Sequence, residues 1–284
     1  MSGIAFLALA VIFSSGVALT MKVANAKGFK LGQFLAVNYL VCMLGLLAWG
    51  AWQPPGLDSP FVWLLGIFVG FMYVLSLWLF DRAIASAGLA ISTTLMRLSA
   101  ALPTLGSLML FSEQANQYQI LGLFLAFFCL PLASKEPLHF GKAGKAAWKG
   151  MIWGLLLFAV YGVTDFTFKV HAELAPLADT NGFMVIIFGT ALILTGSQLF
   201  KGPRPSKPCH FWGVVLGTTN ILATYFWIHA LAHLPGSVAF PTLGLGVIAL
   251  TTMASLLIWR ERLRLANYAF LALAGGAVCL INLG

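Results

Sequence analysis

Residues 88–111 read GLAISTTLMRLSAALPTLGSLMLF, and Arg97 stands near the middle of that run. The stretch is apolar enough to stay in a bilayer and long enough to cross it, since a helix of ~20 residues spans the hydrocarbon core. An arginine at the centre of such a helix costs roughly 2.5–3.5 kcal/mol on insertion scales. Something must offset that cost. If the run is one helix turning 100° per residue, Ser86, Ala90, Thr93, Thr94, Ala100, Ala101 and Thr104 share the Arg97 face, while Leu95, Leu98, Leu102, Leu105 and Met109 lie elsewhere. The arginine is therefore expected to look inward across small and hydroxylated residues.

Working outward, the whole chain has the same character. Of 284 residues, 60% are hydrophobic and 8% charged, and the mean hydropathy is +0.94. That excludes an ordinary soluble domain. Apolar runs without strict alternation point to helices, which satisfy their own backbone in lipid. Ten segments emerge, at roughly 3–21, 32–52, 60–81, 88–111, 117–134, 148–169, 181–200, 210–231, 236–259 and 265–283. The fold class expected is an all-α polytopic membrane protein, and function must reside inside the bundle or at its short loops. The initial MSG has no Lys or Arg, so the first segment is read as a span and not as a cleaved signal.

The net charge of +8 is a topology signal. With ten alternating spans, Lys22, Lys27, Lys30, Arg82, Lys135, Lys142, Lys145, Lys149, Lys201, Arg204, Lys207, Arg260, Arg262 and Arg264 fall on one side and Lys169 on the other. Short-loop Lys/Arg excess marks the cytoplasmic side, which places both termini outside a cytoplasmic (inner) membrane. Nucleic acid is not an expected partner; the lipid bilayer and a small-molecule substrate are. Cys42, Cys129, Cys209 and Cys279 form no CxxC pair and read as packing residues. His229 and His233 lie at i and i+4 without a third ligand, so no metal or cofactor is expected.

The two halves repeat. TMKV at 20–23 matches TFKV at 167–170, and Gly66, Gly70 and Ala83 match Gly213, Gly217 and Ala230, all at an offset of 147. LFSEQ and IWRER place Glu113 and Glu261 at equivalent ends of segments four and nine. The chain reads as a first five-helix repeat over 1–134, a basic cytoplasmic linker over 135–147 and a second five-helix repeat over 148–284. An odd number of spans inverts the second repeat. Inverted repeats are a transporter arrangement, with the site expected near the midplane where the repeats meet.

LALAVIFSSGVALTMKVANAKG (7–28), LLGIFVGFMYVLSLWLFDRAIASAGLA (64–90) and SLLIWRERLRLANYAFLALAGGAVCLI (255–281) resemble the EamA-like family of the drug/metabolite transporter superfamily. The resemblance covers essentially the whole chain. Its most specific parts are the Lys ending segment one and the Glu ending segments four and nine. It implies ten helices in two inverted five-helix repeats, moving small metabolites, often outward, without ATP.

Within that frame Arg97 is expected to hold an anionic group, because guanidinium binds carboxylate or phosphate bidentately and stays charged when desolvated. The offset gives Gly244 as its counterpart, a cation facing space. Tyr73 and Phe80 match Asn220 and Trp227, and with Thr224 they make apolar walls with polar anchors. Tyr161 and Asp165 are placed at the outer end of the same cavity, with Asp165 expected to pair with Lys169 at i+4. Glu113 and Glu261, at equivalent helix ends, are expected to cap or pair locally, with gating as the alternative, and together with Asp165 they are the gating or coupling candidates. The expected function is a secondary transporter of a small polar or amphipathic metabolite, such as an amino acid or organic acid, working by alternating access. The alternatives are a lipid or lipid-linked sugar flippase, or a drug/cation exporter. No HExxH, GxSxG, Walker-type motif or paired midplane aspartates suggest an enzyme. Small residues in ALAGGAVC leave monomer and homodimer both open.

Overall fold

The computed structural model describes residues 2–50, 57–87, 95–129, 145–175, 180–200, 205–260 and 265–283, all of them helix or connection, with no strand among them. The helices are α1 (Gly3–Ala26), α2 (Leu31–Gly50), α3 (Pro60–Ala87), α4 (Ala101–Leu110), α5 (Gln117–Cys129), α6 (Lys145–Leu174), α7 (Thr180–Gly196), α8 (Lys207–His233), α9 (Gly236–Trp259) and α10 (Leu265–Ile281). Seven are long and apolar enough to cross a membrane, namely α1, α2, α3 and α6 to α9; three shorter apolar helices cover Leu95–Leu110, Gln117–Cys129 and Tyr268–Ile281. The 135–144 part of the expected linker lies outside the described residues, and α6 begins at Lys145.

The distribution of side chains is that of a multi-pass membrane protein. Ile4, Leu44, Met109, Phe128, Ile193 and Leu257 are each more than half exposed, whereas Ser15, Thr20, Asn38, Ser76, Thr104 and Ser107 are buried. A water-soluble chain does the reverse. Buried hydroxyls are met locally: Ser15, Thr104, Thr164, Thr167 and Thr195 each donate to the carbonyl four residues earlier, at 2.6–2.8 Å. That bond needs no neighbouring helix and leaves no orphan donor in lipid.

The continuous helix expected over 88–111 is not continuous. Residues 95–98 are helical, Ser99 and Ala100 form a turn, and α4 starts at Ala101. Pro103 is the cause. It has no N–H for the Ser99 carbonyl, and its ring crowds that carbonyl. The carbonyl instead accepts from Leu102 at 3.0 Å, three residues on, a tighter 3₁₀-type bond. The face drawn for Arg97 therefore holds only up to the break.

The chain forms two compact units. The first comprises residues 1–74 and 170–233, the second 75–169 and 234–284. In the first, α1 and α2 pack on α8, and α2 also packs on α7. Its closest approaches are made by the glycines that match in sequence. A methyl on Gly66 would lie 2.7 Å from Ile186, and one on Gly70 2.6 Å from the Ile187 carbonyl, both on α7. Gly213 and Gly217 do the same to α2, where methyls would lie 2.5 Å from Val37 and 2.7 Å from Val41. So α3 meets α7 as α8 meets α2. Small residues let helix backbones come together in lipid, where no hydrophobic drive separates protein from solvent.

In the second unit, a core of Leu123, Ala126, Cys129, Val238, Leu245, Phe270, Ala274, Ala277 and Ile281 binds α5, α9 and α10. Segment four lies along α6: Leu95 fills the space over Gly154, Leu102 that over Gly162, and Phe166 that over Gly106. The numbers rise together, so the two run parallel. Gly70→Ala is expected to destabilise the protein by ~1–3 kcal/mol through overpacking against backbone and to lower Tm in detergent. Gly275→Ala, whose added methyl meets nothing within 4 Å, should leave Tm unchanged.

Candidate functional site

Arg97 occupies the last helical turn before the Ser99–Ala100 break. It is half-buried, and it lines a crevice with Ala100, Ala126, Phe127, Pro241, Gly244 and Leu245, of about 10 Å³. That is room for about one water. Gly244, its counterpart by the repeat offset, is thus beside it in the structure, and a methyl there would meet nothing within 4 Å. Pro241, inside α9, also lines the crevice. Among the described residues the guanidinium makes no hydrogen bond and no ion pair. Tyr161 and Asp165 of α6 lie within electrostatic reach, and Ser76 of α3 lies near the Tyr161 hydroxyl. Phe80 packs with Tyr161 on the Leu79–Ala83–Leu157 cluster. Arg97, Gly244, Tyr161, Asp165 and Phe80 therefore belong to the second unit. The helix break adds one more feature: the N-terminus of α4, just after Arg97, carries no side-chain cap.

The remaining wall residues belong to the first unit. Tyr73 meets Phe188 edge-on with centroids 6.4 Å apart. Asn220 donates to the Asn38 side chain at 3.3 Å, and Cys42 bonds to the same oxygen and to the Gly217 carbonyl. Thr224 and Trp227 are only 5% and 6% exposed. This polar seam is folded into helix packing. His229 and His233 hold backbone carbonyls four residues back through Nδ1, at 2.9 and 2.7 Å, and both rings pack on Phe6. Among the described residues no cluster of three metal-ligating side chains occurs.

Glu113 is the most fully engaged ionisable residue. Its Oε1 accepts from the Gly236 N–H at 2.7 Å and lies 3.0 Å from the Lys169 ammonium; Oε2 accepts from the Ser237 N–H at 3.0 Å and its hydroxyl at 2.9 Å. Lys169 is 2% exposed and stands 5.9 Å over the Phe111 ring. The ion pair expected between Asp165 and Lys169 is replaced by this one. Asp165 sits a full turn earlier on α6, where Arg97 rather than Lys169 sets its electrostatic surroundings. Glu261 lies outside the described residues.

Sequence reasoning named Glu113 but missed Lys169 and Ser237 as its partners. One signal was present. The expected alternation of ten spans would put Glu113, Lys169 and the start of α9 on one side of the membrane, with Lys169 as the lone cation there. Moreover, α9 starts after Pro235 with no acidic residue in its first turn and no side-chain cap of its own, so an acid from elsewhere fits there.

No family model matches the chain. An uncharacterized protein of Haemophilus influenzae is 26% identical over 283 residues, covering 92% of each chain. A solved crystal structure shares the fold with a TM-score of 0.80 at 16% identity, over 99% of this chain and 96% of that one. The arrangement of helices is therefore one already seen by experiment over essentially the full length.

Burial alone would raise the Glu113 pKa, but the N–H groups of Ser237 and Gly236 and the Lys169 ammonium outweigh it and hold the carboxyl below its ordinary value. A depressed folded-state value means that the stabilisation is present above the unfolded pKa and is lost as pH falls through the folded one. The Glu113 carboxylate band, isolated as the infrared difference between wild type and Glu113→Gln, is expected to persist at pH 4.5 and to vanish only below it.

Proposed function

We propose that this protein is a secondary transporter that moves a small metabolite bearing a carboxylate or phosphate, with Arg97 as the residue that holds the anion. The observation that carries the reading is the state of Arg97: a guanidinium inside an apolar bundle, with no ion pair or hydrogen bond among the described residues, opening on a crevice that Gly244 leaves unfilled. A charge in this setting needs a partner. An arriving anion supplies one.

The inverted-repeat reading supports alternating access. Matched glycines make reciprocal contacts, Gly66 and Gly70 with α7 and Gly213 and Gly217 with α2. Two halves that pack on each other in the same way are able to exchange roles. On this reading the three shorter apolar helices are spans too, giving ten in two inverted sets of five, both termini face outward, and the chain belongs with EamA-like transporters. Tyr161, near Ser76, and Phe80 would flank the bound solute, with Asp165 setting the local charge balance.

Uptake into proteoliposomes of a labelled panel of amino acids, organic acids, nucleosides and organic cations tests this. The expected outcome is selective transport of an anionic or zwitterionic solute. It should be abolished in Arg97→Ala, partly restored in Arg97→Lys because a point charge replaces a planar fork, and reduced in Gly244→Val, which fills the crevice. Cation transport that survives both arginine substitutions would make Arg97 structural and overturn the substrate assignment.

A further inference from the structure

We propose that Glu113, Lys169 and the Gly236–Ser237 end of α9 form a clasp that locks one end of the second unit shut and has to open in each transport cycle. The clasp rests on the transport reading for its role, but its opening is measurable without transport. Three helix ends meet in it: Glu113 follows α4, Lys169 lies near the end of α6, and Gly236 begins α9. Four donors saturate one carboxylate, counting two backbone N–H groups, the Ser237 hydroxyl and the ammonium. If Glu113 moved away with the end of α4, all four would be lost together, whereas movement of α6 alone would remove only the ammonium.

Two features show that the chain is shaped to make this contact. Ser112, immediately before Glu113, has φ 52°, in the left-handed region that non-glycine residues avoid. It is the left-handed turn with which helices commonly end, as Arg260 also shows after α9, and it places Glu113 directly after the end of α4. At Gly236, a methyl would collide with Ser107 of α4. Ser107 is fully buried by this approach, and its hydroxyl has no partner. A hydroxyl sealed off without a partner at the α4–α9 contact gains one when water enters, so the seal is biased towards release.

A buried ion pair is suited to a latch. Desolvation of the two ions largely cancels their attraction, so the paired state and a hydrated open state differ little, whereas an apolar pair of the same size would favour only the dry state. Loss of one partner opens the latch; replacing both with apolar residues jams it.

Ser107→Cys reports the state, in a background where exposed Cys279 is replaced by Ser and the other three cysteines remain buried. With Glu113 intact, a membrane-impermeant thiol reagent should modify Cys at 107 slowly. Glu113→Gln should accelerate modification at least ~10-fold, as expected when a charge-assisted contact worth over 1.4 kcal/mol is removed. Ser237→Ala, which removes one donor and keeps the ion pair, should accelerate it less. Glu113→Leu with Lys169→Met should stay as slow as the parent and transport nothing. Equal rates in parent and Glu113→Gln overturn the clasp, as does a double apolar variant that transports. If Glu113→Gln does not fold, the Ser237→Ala rate decides, and no change there overturns the proposal. Accelerated modification in a protein that transports none of the solutes would uphold the clasp and remove the transport reading.

Discussion

In a bilayer a polar group left unsatisfied is costly, and this structure is organised around where satisfying it is easy and where it is not. Hydroxyls are easy, because a helix offers them its own carbonyl four residues back, as Thr104, Thr164 and Thr195 show. Asn38 and Asn220 need each other across a helix contact. Charges are hardest. Glu113 and Lys169 are matched at a helix end, with backbone N–H groups completing the set. Arg97 and Asp165 are left without a direct partner among the described residues, facing each other only at electrostatic range.

Glycine does the corresponding work for the backbone. With lipid as the solvent, helices associate through close packing, and the tightest approaches in the first unit fall at Gly66, Gly70, Gly213 and Gly217. The same residues carry the internal repeat. Their match in sequence therefore has a mechanical basis: each pair needs no side chain because a neighbouring helix occupies the space. In the second unit, Gly154, Gly162 and Gly106 seat segment four along α6, which fixes Arg97 on the side of Tyr161 and Asp165.

Much of this could be read before any coordinates. Apolar runs and short polar breaks mark the helices, since helix and lipid impose one-dimensional rules on the chain. The offset of 147 joined Arg97 to Gly244, and the two line one crevice. The break after Leu98 was missed although Pro103 stood well inside the expected 88–111 run, where it leaves the Ser99 carbonyl without its usual donor. Only the partner of the Ser99 carbonyl tells a kink from a new start. The Glu113 cluster was missed for a different reason. Capping rules look a few residues along the chain, and here the cap of α9 comes from a loop more than a hundred residues away. The i+4 rule pointed to Asp165 for Lys169, but that rule describes exposed helix surfaces, where a pair is worth only ~0.2–0.5 kcal/mol. A lysine with 2% exposure needs a carboxylate that is already held in place, and Glu113 is held by α9.

The two charge sites call for opposite kinds of chemistry, and the difference follows from who supplies the counter-charge. At Glu113 the protein carries both signs. Leaving one ion buried alone costs about 3–5 kcal/mol, while separating both into water costs little, so such a site can make and break as its surroundings dry and wet. At Arg97 no counter-charge is in direct contact, and on the transport reading proposed above the substrate brings it. An internal carboxylate in direct contact would have made the bundle more comfortable at rest, but any anion arriving would have to displace it. Asp165 lies within electrostatic reach and out of ion-pair contact, so the hydrogen-bonding fork of the guanidinium remains available. The cost of that arrangement falls on the empty protein and is relieved when an anion binds. That ordering is what a carrier needs, because the bound and unbound forms then differ in stability through the substrate itself.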